Sequence, residues 1–259
     1  MDPHAQWPMP SYLAAWKVFR KISDENRCTA THLLSRQTWP RGLDKLHVVD
    51  FGCGDGGLLE ELILASQQEF STIHLVDLDP ELLAAASDKI ASLNLTRTLL
   101  KTLGRAEDVA GIVAQGAHVG LAVHLVYLLD NGSFKTLLHQ LPPRFPLFII
   151  MDEKDSVFQE LWTKTAPKYH SRVVQAHQLL TQEIGPAFQV TKTEFDTHLR
   201  SPLGLRPELR DAVLSLLCYH EVSSLDQPTR EWVNSVIKSR TASGKVVCDC
   251  ACFEVTRRF

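Results

Sequence analysis

Apolar positions along this chain follow two rhythms. Near the N-terminus, Tyr12, Trp16, Phe19 and Ile22 recur at spacings of four, three and three, which marks one face of a helix ending near Ser23-Asp24-Glu25. A second helix is expected over 29–34, and Pro40 with Gly42 marks a loop. From Leu46 onward, short apolar runs alternate with helical stretches. Residues 46–51, 72–78, 96–103, 118–126 and 146–152 read as strands. Residues 58–66, 80–93 and 132–141 read as helices, the second with Asp79 as N-cap and Pro80 at its first position. After Asp152 the pattern loosens. Helices are expected over 156–164 and 174–183, with Gly185 suited to a helix end, then a strand over 188–199. A mainly helical insertion follows over 207–240, and a strand with clean alternation closes the chain over 245–256. Alternation of strand and helix implies a mostly parallel sheet covered on both faces.

Composition narrows the class. The 259 residues are enough for one α/β domain with its own core and no disulfide staples. Charge is nearly balanced at −3, with 27 basic and 30 acidic side chains and no basic tract, so no nucleic-acid partner is expected. No apolar run reaches the roughly 20 residues of a membrane span. The segment 1–10 carries three prolines and lacks the charged start and apolar core of a signal peptide. Six cysteines form no secreted framework, so a reduced, cytoplasmic protein is expected.

Candidate chemistry centres on VVDFGCGDGG, residues 48–57. Gly52, Gly54 and Gly57 fit G-x-G-x-x-G, a loop in which glycines allow sharp turns and close ligand approach. A dinucleotide or S-adenosylmethionine (SAM) fits such a loop. Three features bear on the choice. Asp50, two residues before Gly52, suits a cationic amino group and would crowd a pyrophosphate. About 45 residues precede the strand, enough for a helical lid. Asp77 stands 20 residues beyond Gly57, where an acid can accept both ribose hydroxyls. The third feature fits both ligands; the first two favour SAM.

VVDFGCGDGG followed by HLVDLDPELL resembles the first two motifs of class I SAM-dependent methyltransferases. That resemblance implies a Rossmann-like, seven-stranded, mostly parallel sheet with helices on both faces. It divides a single methyltransferase domain into a lid (1–43), a SAM-binding core (44–200), a helical insertion (201–243) and a final strand (244–259). It also implies that Asp50 holds the methionine amino group, Gly52 and Gly54 lie against the cofactor, and Asp77 with Leu78 meets the ribose. Gly104-Arg105-Ala106-Glu107 resembles the adenine-edge segment; Arg105 stands where an acid is commoner, which leaves a backbone role near Ala106. Val123, in the fourth strand, would lie beside the cofactor. S-adenosylhomocysteine (SAH) would be the product.

Beyond that strand, residues 122–127 lack the Asp/Asn-Pro-Pro-aromatic motif of nucleobase amine methylation. The chain as a whole is similar to histamine N-methyltransferases. Matching stretches are YLAAWKVFRKISDENRC, AVHLVYLL, DSVFQELWTKTAPKY and GKVVCDCACFEV. The resemblance implies that Glu25 meets the acceptor from the lid and that His124 stands where the family has a glutamine. Tyr12, Trp16, Tyr127, Phe158 and Trp162 would wall the pocket, bordered by Cys250 near a family asparagine. The differences at His124 and Cys250 imply a small amine or azole other than histamine, methylated on nitrogen. The family resemblance suggests a monomer.

Methyl transfer from a sulfonium is an in-line displacement with a neutral leaving group, so alignment and water exclusion dominate. Glu25 or His124 could take a proton from an amine or hydroxyl. Two other readings remain open: an O-methyltransferase with His124 as base, and a non-catalytic protein on the same fold. Cys248, Cys250 and Cys252 share one strand face. Their spacing departs from that of zinc sites and reads as small buried residues, so no metal is expected.

Overall fold

The computed structural model describes residues 11–43, 45–66 and 68–259; the expectation for 1–10 lies outside them. Two helices, α1 (Tyr12–Ile22) and α2 (Glu25–Ser35), precede the sheet. The core then runs β1 (Leu46–Phe51), α3 (Gly57–Ala65), β2 (Phe70–Asp77), α4 (Pro80–Ser92), β3 (Thr96–Leu103), α5 (Ala106–Val113), β4 (Val119–Val123), α6 (Asn131–Gln140) and β5 (Pro146–Asp152). It continues through α7 (Val157–Thr165), α8 (Pro167–Gln178), β6 (Phe188–Arg200), α9 (Pro207–Cys218), α10 (Gln227–Ser239), β7 (Thr241–Ala242) and β8 (Lys245–Arg257).

Seven long strands lie in the order β3-β2-β1-β4-β5-β8-β6, and the two-residue β7 pairs beside β8. Strands β1 to β5 pair in parallel, while β8 runs antiparallel to both β5 and β6. Neighbouring residues on one strand serve opposite faces: Val49 and Ile149 pack in one buried cluster, Val48 and Ile150 in the other. Both faces are therefore covered, as a parallel sheet requires. Strand order reverses between β1 and β4, and in such sheets ligands bind beyond the carboxyl ends of the strands at that point. Phe51 and Val123 end there. No helix among the described residues is long and apolar enough to cross a membrane.

Several elements differ from their sequence expectation. The second helix begins at Glu25, four residues early, because Ser23 bridges to Leu199 and the Asp24 carboxylate accepts the His198 amide at 2.6 Å. The fourth strand stops at Val123, since His124 turns into the left-handed region at φ +52°. Helix α8 starts at Pro167, whose fixed φ suits a first turn, and ends in a wide turn over Leu179–Glu183. The insertion divides into two helices because Tyr219 takes φ +47° after α9.

Candidate functional site

Two adjoining cavities open at the switch point, of about 130 and 100 Å³. They meet at Tyr12, Trp16, Gly52, Gly54 and His124, which line both. The first is walled further by Asp77, Leu78, Ala106 and Glu107; the second by Glu25, Asp50, Val123, Tyr127, Asp152, Phe158, Trp162 and Tyr219.

The glycine loop shapes the shared wall. Gly52 and Gly54 take φ of +71° and +55°, values that L side chains rarely adopt. A Cβ on Gly52 would stand 3.0 Å from Leu125 Cδ1. The Gly54 amide donates to Asp77 Oδ2 at 2.9 Å, and the Asp79 amide to Asp77 Oδ1 at 2.9 Å, so the second strand's acid is fixed against the loop. Asp50 is 3% exposed, and its carboxylate has no hydrogen-bond partner among the described residues. Burial, with the Asp77 charge adding, pushes it up to about 7. Burial also raises Asp77, against the amides that donate to it. A buried acid without a partner beside a second acid is a fit for a cationic group.

At the far end of this cavity, Arg105 turns its guanidinium to Glu107 Oε1 at 2.7 Å. Glu107 Oε2 is buried and has no hydrogen-bond partner. Where the family resemblance has an acid this chain has Arg105, and the buried carboxylate on this wall is Glu107, two residues later. Sequence reading missed it because a charged residue on the first turn of a short helix ordinarily faces water.

In the second cavity, Glu25 on α2 and His124 Nε2 just past β4 form a close ion pair, with the ring N–H poorly aligned on the oxygen. Arg20 Nη1 lies 3.5 Å from the other Glu25 oxygen. Burial pushes the Glu25 carboxyl up, but His124 and then Arg20 outweigh it and hold the group down at about 2. Burial pulls His124 down, and the Glu25 carboxylate outweighs that and raises it above the ordinary histidine value. Both directions describe a charged pair. The His124 amide stays tied to Ile150 O at 2.8 Å, so the left-handed turn aims the ring without releasing the strand.

Aromatic rings complete the wall. Trp162 and Tyr219 centroids lie 4.4 Å apart, Tyr127 and Trp162 5.4 Å, Phe158 and Trp162 5.9 Å, and Tyr12 and Tyr219 5.7 Å. Trp162 Nε1 donates to Leu217 O at 2.8 Å, which ties the insertion to α7. Of the expected residues, Glu25, His124, Asp50, Gly52, Gly54, Asp77, Leu78, Ala106, Val123, Tyr12, Trp16, Tyr127, Phe158 and Trp162 all border the two cavities. Cys250 lies apart from the cavity walls, with its Sγ beside Thr197 Oγ1 at 3.9 Å; packing under β6 covers it. Asp152 and Tyr219 were not foreseen from the sequence.

Cys248, Cys250 and Cys252 are free and buried. Among the described residues, one group has the spacing of metal ligands, Asp24, Cys28 and His198. Asp24 already accepts the His198 amide and sits 3.6 Å from Arg27, and Arg200 and Lys245 line the same groove.

No family model matches the chain, and no curated protein matches it significantly. Solved structures do. The plantazolicin methyltransferase BamL, in complex with SAH and a triazolic desmethylPZN analogue, is 13% identical over 98% of this chain and 94% of its own, at a TM-score of 0.51. The chain shares the fold of this methyltransferase. The same fold relates the chain to YcgJ from Bacillus subtilis, at 10% identity over 88% of this chain and 99% of that one, TM-score 0.54. It also relates it to the [4+2]-cyclase SpnF, at 12% identity over 89% and 81%, TM-score 0.51. A methyltransferase fold therefore accommodates more than one reaction, and the chemistry here has to be argued from the site.

Proposed function

We propose that the chain is a SAM-dependent methyltransferase acting on a nitrogen of a small amine or azole. The observation that carries the reading is the buried, partnerless Asp50 carboxylate beside the Gly52–Gly54 turn, opening onto an aromatic cavity that holds the Glu25–His124 pair. Asp50 would hold the cationic amino group of the cofactor, Asp77 the ribose hydroxyls, and Glu107 Oε2 an N–H at the adenine edge. When bound, SAM supplies a methyl group on a positively charged sulfur.

The chain's residues then align and shield. Tyr127, Trp162 and Tyr219 exclude water and favour cationic groups through their ring faces. His124 borders both cavities, so the Glu25–His124 pair sits where acceptor and methyl would meet. Glu25, held at about 2, is a poor proton acceptor at neutral pH, and its carboxylate favours the charged form of His124 over the free base. That supports a positioning role for the pair. It favours a neutral azole or free amine nitrogen, which needs no base, over a hydroxyl, which does. The O-methyl reading with His124 as base is weaker for the same reason.

Incubation with methyl-labelled SAM and a panel of small amines, azoles and phenols tests the reading. Label should pass to a nitrogen compound. Transfer confined to phenols would favour the oxygen reading. SAH binding without transfer to any compound would favour a non-catalytic protein.

A further inference from the structure

We infer that a basic groove beside the acceptor cavity holds an acidic group, a phosphate or carboxylate, carried by the acceptor itself. The inference rests on the methyltransferase reading above and adds to the acceptor's class: a nitrogen compound with an anionic end.

The groove has a volume of about 480 Å³ and is lined from α1, the start of α2, α3 and the adjoining ends of β6 and β8. Five of its side chains are lysine or arginine, against the two acids Asp24 and Glu61. The whole chain carries a net charge of −3, so this positive charge is a local concentration. Asp24 is already engaged: it accepts the His198 amide and lies 3.6 Å from Arg27. Lys21, Arg200 and Lys245 are exposed and form no ion pair among the described residues.

Backbone register makes two of these cations costly neighbours. Arg200 ends β6 and stands directly opposite Lys245, the first residue of β8. Like charges directly opposite on an antiparallel pair repel and weaken the pairing. A bound anion turns that repulsion into two attractions. Helix α2 adds to the effect. It begins at the groove, and Asp24 at its N-cap makes no capping hydrogen bond, so the positive end of the helix is left to face negative charge.

Position ties the groove to the acceptor. Arg20 and Asn26 line both the groove and the second cavity. The Arg20 guanidinium pairs closely with Asn26 Oδ1 and reaches back to Glu25 Oε2 at 3.5 Å. Glu25 in turn pairs with His124, where acceptor and methyl would meet. An acceptor with its nitrogen near His124 and its anionic end beyond Arg20 would occupy both spaces. The second cavity is lined by Glu25, Asp50 and Asp152 and repels an anion, whereas the groove attracts one. Such a molecule therefore enters one way round.

The test uses calorimetry on the full chain saturated with SAH. The ligands are aminoalkyl phosphates and aminoalkyl carboxylates of two to eight carbons, each beside the amino alcohol that lacks the anion, with inorganic pyrophosphate as a separate probe. The wild type should bind at least one anionic amine about tenfold or more tightly than its alcohol counterpart, and the preference should shrink between about 0.05 and 0.5 M salt. The double variant Arg200→Gln with Lys245→Gln should lose most of that preference while SAH affinity stays unchanged. Its ligand-free thermal midpoint should be no lower than that of the wild type, because facing like charges are removed. A preference that survives in the double variant, or no preference in the wild type, overturns the inference while the methyltransferase reading stands. Pyrophosphate that binds without competing against the anionic amines would place the anion apart from the acceptor and overturn it as well. Failure of the wild type to bind SAH would remove the methyltransferase reading and this inference with it.

Discussion

Asp50, Asp77, Glu107 and Asp152 are four acids in largely apolar surroundings, all bordering one continuous pair of cavities. Each is individually testable. Glu107 gives the sharpest case, because one of its oxygens is already taken by Arg105 while the other is buried and partnerless. Glu107→Ala should weaken SAH about 10-fold, the scale of one hydrogen bond to a charged group, and calorimetry would read it. An unchanged affinity would remove Glu107 from the site. Asp50 and Asp77 were legible in the sequence because the glycine pattern fixes their position at strand ends. Glu107 and Asp152 were not, since nothing local to them distinguishes a buried acid from a solvated one. Only the three-dimensional neighbours withhold water and partners from their oxygens. Cys250 failed for the converse reason: alternation gave its face correctly as buried, but not that Thr197 on β6 would cover it.

Among elements, the β1–α3 turn carries the site. Gly56, at φ +75°, packs so closely that a Cβ there would stand 3.0 Å from Ala86 Cα on α4. Gly54, at φ +55°, has open space, with the nearest atom of Trp16 at 3.8 Å. Backbone strain applies to both, but collision with a helix backbone only to Gly56. Gly56→Ala should therefore cost about 2 kcal/mol or more in denaturant unfolding. Gly54→Ala should cost about 1–2 kcal/mol by strain alone, yet lose more SAH affinity, because its added methyl would point into the cavity. Equal stability losses would contradict this division. Alternating strands and helices were readable from apolar rhythm alone. The ends that matter most were not: β4 stops at a left-handed His124, and α9 at a left-handed Tyr219. Neither residue type announces that conformation, and tertiary contacts impose it. Trp162 Nε1 on Leu217 O and the Tyr219 ring tilted against Trp162 hold the insertion against the cavity.

For the molecule as a whole, the buried charges set a pH profile. Asp50 and Asp152 have folded values raised to about 7, so between the unfolded value near 3.8 and about 7 the folded state binds more protons. Their contribution to stability therefore declines as pH rises through that window. Glu25 is held at about 2, so its contribution is present above the unfolded carboxyl value and is lost as pH falls toward 2. His124 is raised, so its contribution is present below about 6.5 and is lost above its folded value. Together these place the greatest stability of the ligand-free protein near pH 4, with thermal midpoints falling from there toward pH 8. A ligand that brings a cation to Asp50 should flatten that decline. A midpoint rising steadily from pH 5 to 8 would contradict the assignment of these acids.

The central claim is that the glycine loop and Asp50 hold SAM. Calorimetric titration of SAH into the wild type and into Asp50→Ala, with NAD in parallel, tests it most directly. The account predicts SAH binding by the wild type, a loss of about 10- to 100-fold in Asp50→Ala, and no binding of NAD. Binding of NAD in place of SAH, or SAH affinity indifferent to Asp50, would contradict it.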